Sequence, residues 1–218
     1  MRNFLLNYCP YLIFLIVICE AILLYCFIKD YQSNKKEMSF YLILLTAGLL
    51  YDASILALGF FLKEGTILKT LSYFRYIFHS LLIPLLLLIC GEALNLDSNK
   101  KKLIRIITFI LMLIGLIASL IMKIEPSYFA GITRYVSSDT NPKWAEKFRS
   151  VSNVALIIPV IVIGLMKKKY YFFLAGFLMF FFSALAPITG NFDLIFFISM
   201  IGELLMILFF YLHLKKNN

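Results

Sequence analysis

The sequence predicts an all-α protein, a polytopic transmembrane helical bundle of about seven spans with its N-terminus outside and its C-terminus cytoplasmic. Three observations carry that prediction. Hydrophobic residues make up 62% of the 218 and charged residues only 15%, with a mean hydropathy of +0.90. A soluble domain is about half apolar and roughly a quarter charged. The apolar runs are also long: LIFLIVICEAILLYCFI approaches the roughly 20 residues that a helix needs to cross a bilayer. It does not alternate, as the ~10-residue strands of an outer-membrane barrel would. Finally, the basic residues gather in alternate breaks between the runs, which sets the orientation.

The predicted spans cover residues 10–29, 40–62, 70–94, 103–124, 151–166, 170–190 and 193–213. The first lacks a small-residue cleavage site and has a single early cation, Arg2, so it reads as a span rather than a cleaved leader. The second lies between DYQSNKKEM and KEGT and carries Asp52. The third opens on SYFRYIFHSLLIP, bears a proline kink at Pro84, and ends at LDSNKKK together with the start of the fourth. A connection over 126–150 follows as the outer loop. Asn141 and Pro142 there have the pattern of a helix cap and first helical position. Trp144, Phe148 and Val151 then share a face, predicting a short interfacial helix. The fifth run is short and extends backward through that amphipathic stretch. The sixth and seventh are set off by KKK and GNFD. Reading the pair around KKK as one gives the competing count of six.

With the N-terminus outside, Lys29, Lys35, Lys36, Lys100, Lys101, Lys102, Arg105, Lys167, Lys168, Lys169, Lys215 and Lys216 are all cytoplasmic. The short outer loops then keep only Lys63 and Lys69. The formal charge of +9 fits basic loops against anionic headgroups. Membrane lipids are the expected partners, no nucleic-acid role is required, and a protein partner or homo-oligomer fits the same composition. A compact chain with little outside the bilayer favours a bacterial cytoplasmic membrane.

An ionisable group at mid-bilayer costs about 3 kcal/mol on insertion scales, so such groups face a partner or a cavity. Glu20, Asp52 and Glu203 fall near the middles of the first, second and seventh spans, about 15 Å from either face at 1.5 Å per residue. Ser72, Arg75 and His79 are spaced three and four apart and form one stripe on the outer half of the third helix. On the second helix Gly48, Asp52, Ile55 and Gly59 share a face, so close backbone packing flanks the acid. Ser183, Pro187 and Thr189 add polarity to the outer half of the sixth. These patterns predict an outward-facing cavity that takes a lipid or a small molecule.

Three functions fit. The first is a membrane assembly, accessory or receptor-like protein whose buried charges pair between helices. The second is a lipid-directed intramembrane enzyme, in which His79 is the general acid or base, Asp52 orients it, and Arg75 binds an anionic group. The third is a small-solute or proton-coupled transporter using Asp52, Glu203 and Glu20. Arg75, Glu203 and Glu20 are thus the candidate ligand-binding residues, and His79 and Asp52 the candidate catalytic pair. Whether the chain is an enzyme at all stays open at this level.

No metal or cofactor is expected. The four cysteines lack metal-type spacing, and His79 and His213 lie too far apart for a three-histidine site. The last span has no lysine for a retinal linkage, and no Gly-rich phosphate loop or GxSxG elbow occurs.

Overall fold

The computed structural model describes the backbone of residues 2–188 and 195–216, and the side chains of residues 8–184 and 197–216. In chain order the elements are α1 (Arg2–Asn34), α2 (Glu37–Leu58), α3 (Thr66–Leu82), α4 (Leu85–Ala93) and α5 (Ser98–Leu120). A two-stranded hairpin follows, β1 (Ile124–Phe129) and β2 (Ile132–Ser137), then α6 (Lys143–Ala155), α7 (Ile158–Met166), α8 (Tyr170–Ile188) and α9 (Ile195–Lys216). The fold is all-α apart from that hairpin.

Among the described residues, six helical stretches are long and apolar enough to cross a membrane: Tyr8–Asn34, Glu37–Leu58, Thr66–Ala93, Ser98–Leu120, Lys143–Met166 and Phe197–Lys216. A seventh apolar helix, described as Tyr170–Ala184, is shorter. The expected GNFD break and Thr189 lie outside the described residues, as does the side chain of Pro187.

Helix ends depart from the sequence reading where side chains supply bonds that composition hides. The first helix runs on to Asn34 instead of stopping near Lys29. Within its last turns Ser33 Oγ donates to Lys29 O at 3.1 Å, and Asn34 Nδ2 donates to Asp30 Oδ1 at 3.1 Å. The polar tail is thereby satisfied inside the helix. It stops at Lys35, which sits in the left-handed region at φ 53°.

Two prolines divide two of the long stretches. Pro84 has no N–H to continue the ladder, so α3 and α4 meet at Ile83–Pro84, where Leu86 N–H bonds Ile83 O in a tighter turn. Pro159 does the same between α6 and α7, where Ile157 N–H turns to Val154 O. The fifth apolar run therefore extends back to Lys143, as its shortness demanded.

The connection over 126–150, expected as the outer loop, holds more regular structure than expected. Its first half is an antiparallel hairpin with Phe129 opposite Ile132 and Ile124 opposite Ser137. The two-residue turn is Ala130–Gly131, both at positive φ (51° and 77°), the geometry that suits the twist of paired strands. Asn141 does not cap the following helix, whose N-cap is Pro142 with no side-chain bond. It closes the hairpin base instead: Oδ1 accepts from Lys123 N–H at 2.7 Å, while Nδ2 donates to Lys123 O and to Ser137 Oγ, each at 2.9 Å. A pending strand partner outcompeted the cap.

The hairpin rests on the ends of α2 and α3. Thr133 N–H donates to Gly59 O at 2.8 Å, and Tyr76 Oη donates to Tyr135 O at 3.1 Å. A Cβ on Gly59 would stand 2.0 Å from Thr133 O, so only glycine permits this approach. Below, Phe129 and Ile132 pack with Cys9, Ile13, Leu56 and Met200. The larger apolar core lies toward the other end, where Phe27, Leu42, Leu86, Val160, Phe172 and Phe210 bring α1, α2, α4, α7, α8 and α9 together. Large apolar side chains also remain on the outside, notably Leu15, Ile18 and Ile22 of α1 and Phe109, Leu113 and Ile117 of α5.

The other end carries the ion pairs expected of a charged rim. Lys101 pairs with Glu92 at 2.8 Å and Arg105 with Glu37 at 2.9 Å. Asp30, buried to 3% exposure, accepts from Ser39 Oγ at 2.7 Å. His213, which its neighbours Lys215 and Lys216 would place at an interface, is instead buried edge-on to Phe172.

Candidate functional site

Arg75 and Asp52 face each other because α2 and α3 are consecutive antiparallel helices in close contact. A Cβ on Gly48 would lie 2.0 Å from Leu82 Cδ1, so the glycine lets α3 approach α2 one turn from the acid. Hydrogen bonds fix the rotation of α3 on both sides. Tyr51 Oη donates to Leu71 O at 3.0 Å, and on the α5 side Ser119 Oγ donates to Tyr76 O at 3.1 Å. Ser80 and Ser119 share a further bond of 2.7 Å. Arg75 Nε then meets Asp52 Oδ1 at 2.8 Å and Nη2 meets Oδ2 at 3.1 Å, a two-pronged charge-assisted pair.

This pair forms one wall of a hollow of about 160 Å³, with Tyr76, His79, Arg149, Asn153, Ser199 and Glu203 among the other lining residues. A second space of about 360 Å³ shares His79, Asn153, Ser199 and Glu203 with the first. It continues along Ile83, Leu86, Ile157, Met179 and Met206, with Ser183 on its edge. The combined space is polar at one end and apolar along its length.

The expected residues distribute unevenly. Asp52, Arg75, His79 and Glu203 all line the smaller hollow. Glu20 does not; it is buried on α1, 1% exposed, within electrostatic reach of Asp52 and Glu203, and its Oε2 has no hydrogen-bond partner among the described residues. Ser72, the first member of the predicted stripe, is likewise buried away from the hollow. His79 makes no hydrogen bond to Asp52, whose two oxygens both receive Arg75. The side chains of His79, Asn153 and Glu203 have no protein hydrogen bond among the described residues, so their polar atoms are left to the hollow.

Arg149 and Asn153 are the residues that sequence reasoning missed. They belong to α6, for which the sequence predicts a short interfacial helix, and their spacing of four places both on the helix face turned to α3. The available signal was the pair itself, since an arginine and an asparagine one turn apart entering an apolar run repeat the arrangement of Arg75 and His79. The Arg149 guanidinium stacks over the Tyr76 ring, 4.6 Å from its centre, and donates one N–H to Met122 Sδ.

Two recesses lie apart from this cluster. The wider, about 580 Å³, runs under the hairpin base beside Lys69, Tyr73, Lys123 and Glu125. The other, about 420 Å³, lies at the opposite end beside Lys36, Glu92, Lys169 and His213, where Lys169 Nζ donates to Ala93 O at 2.6 Å. Among the described residues no three His, Cys, Asp or Glu side chains are grouped to hold a metal ion.

No family model matches the chain, and no curated protein matches its sequence.

Proposed function

We propose that the chain is a multi-pass integral membrane protein of seven spans, N-terminus outside and C-terminus cytoplasmic, that works as a receptor-like ligand-binding protein. Six long apolar helices and a shorter seventh support the membrane reading, as do the apolar flanks of α1 and α5, which exceed what a soluble monomer leaves uncovered. The orientation rests on the basic residues concentrated around Lys35–Lys36, Lys100–Lys102, Lys167–Lys169 and Lys215–Lys216, all in alternate connections or at the C-terminal end.

One observation carries the ligand-binding reading: His79, Asn153 and Glu203, without a hydrogen-bond partner among the described residues, turn polar atoms into the same hollow, walled by the Asp52–Arg75 pair. A packing role alone would have paired them with each other. The enzymatic alternative has less support, because Arg75 occupies both oxygens with which Asp52 would orient His79. The test is thiol labelling of single cysteines at 79 and 153, with the four native cysteines replaced. A membrane-impermeant reagent added outside should modify both. Complete protection of both positions, in protein that remains folded, would remove the outward-facing hollow and this function with it.

A further inference from the structure

Arg149 is the cation in the hollow that makes no ion pair with a carboxylate among the described residues; the Glu146 charge acts on it along α6 without a hydrogen bond. Arg75 is matched by Asp52, whereas the only hydrogen bond from the Arg149 side chain among the described residues goes to the thioether of Met122, a weak acceptor. A guanidinium has five N–H donors, so most of those on Arg149 have no protein acceptor. Its flat face is already held by the Tyr76 ring, which fixes the group without neutralising it. Asn153, one turn further along α6, and His79 across from it supply additional polar atoms on the same lining. Glu203 is nine-tenths buried and faces the hollow as well, also without a hydrogen-bond partner among the described residues.

From this polar end the space leads into mostly apolar surroundings, Ile83, Leu86, Ile157, Met179 and Met206, with Ser150 and Ser183 also on the lining. A ligand that fits has a charged head and an uncharged tail. Resting on the ligand-binding reading above, we propose that the hollow takes an amphiphilic anion, a phosphate or carboxylate head on Arg149 with an apolar chain running toward Met179 and Met206. The guanidinium, which has no ion pair among the described residues, selects the sign of the head. The apolar extension selects the chain, and the size of the two connected spaces suits a single short chain better than a large lipid.

The experiment titrates octyl phosphate, inorganic phosphate and octyltrimethylammonium into nanodiscs holding the full chain, with empty nanodiscs subtracted. Octyl phosphate should bind saturably, inorganic phosphate more weakly, and octyltrimethylammonium not at all. Arg149→Met should weaken octyl phosphate by about tenfold or more, the scale of losing a charge-assisted bond, and Arg149→Lys by less. Glu203→Gln should bind octyl phosphate at least as tightly as the parent, because the amide removes an ionisable carboxyl from beside the head and keeps a hydrogen-bond donor there. Equal affinity for inorganic phosphate overturns the chain; preference for the ammonium, or loss of binding in Glu203→Gln, overturns the sign of the head.

Val154→Trp separates this proposal from the reading beneath it, since Val154 is a partly exposed lining residue whose enlargement fills the space without disturbing the core. Binding that survives Arg149→Met but disappears in Val154→Trp refutes the headgroup contact and leaves the hollow as the site. Binding that survives both refutes the hollow itself.

Discussion

Arg75 on α3 grips Asp52 on α2 through two parallel bonds, Nε to Oδ1 at 2.8 Å and Nη2 to Oδ2 at 3.1 Å. The side chains are 12% and 17% exposed, so neither charge is well placed to find water if its partner is taken away. Asp52→Asn or Arg75→Met alone should therefore destabilise the fold by about 3–5 kcal/mol, whereas the double replacement Asp52→Leu with Arg75→Leu should recover most of the loss. Thermal unfolding of the four proteins in one detergent checks this. A double variant as unstable as the sum of the singles would show that the pair is not what the stability depends on.

Asn141 should behave as a hairpin clasp and not as a helix cap. Asn141→Ala strands the Lys123 N–H, while Lys123 O keeps its bond from Ser138 N–H, and should cost about 1–3 kcal/mol, the penalty for leaving such a group unmet. The signature is where the loss appears. Hydrogen exchange should quicken across 124–137 while the first turn of α6 keeps its protection; the reverse pattern would restore the capping role.

Gly59→Ala puts a methyl group against the carbonyl of Thr133, only 2.0 Å away. The hairpin must lift off α2 to accommodate it, at a cost of about 1–3 kcal/mol. Limited proteolysis should then cut near Ala130–Gly131 faster than in the parent chain. Unchanged cleavage would mean that the hairpin is not seated on Gly59.

Lys169, in the connection between α7 and α8, is held below the ordinary lysine value of 10.5, first by burial and then by the neighbouring Lys167 charge. Between its folded and unfolded values the unfolded chain holds more protons, so stability should rise as pH climbs through the folded value toward 10.5. Lys169→Met lacks this dependence. The difference in melting temperature between parent and variant should shift in favour of the parent on going alkaline, and a difference that stays flat with pH would count against the burial of the ammonium.

The helical class was legible because composition and run length act along the chain and need no knowledge of neighbours. The contact between Asp52 and Arg75 was foreshadowed for the same reason, since isolated charges in apolar helices demand partners and these two sit on consecutive helices. What stayed hidden depends on long-range choices. Ala130 is a poor advertisement for a left-handed turn position, where asparagine or aspartate is usual, so the hairpin carried little local signal. Asn141 has a side chain suited to two jobs, and only the position of Lys123 decides between them. Glu20 shows the opposite failure: it is buried within the long apolar stretch of α1, yet it is not on the lining that Glu203 reaches.

The short link between α2 and α3 also bears on how such a chain is made. Two opposite charges on adjoining helices can cancel as soon as the second helix emerges from the ribosome, before the rest of the polypeptide exists. The pair would then enter the bilayer as a nearly neutral two-helix unit, and neither helix would have to partition alone with a naked charge. Arg149, synthesised more than seventy residues later, has no carboxylate bonded to it among the described residues and keeps its charge available.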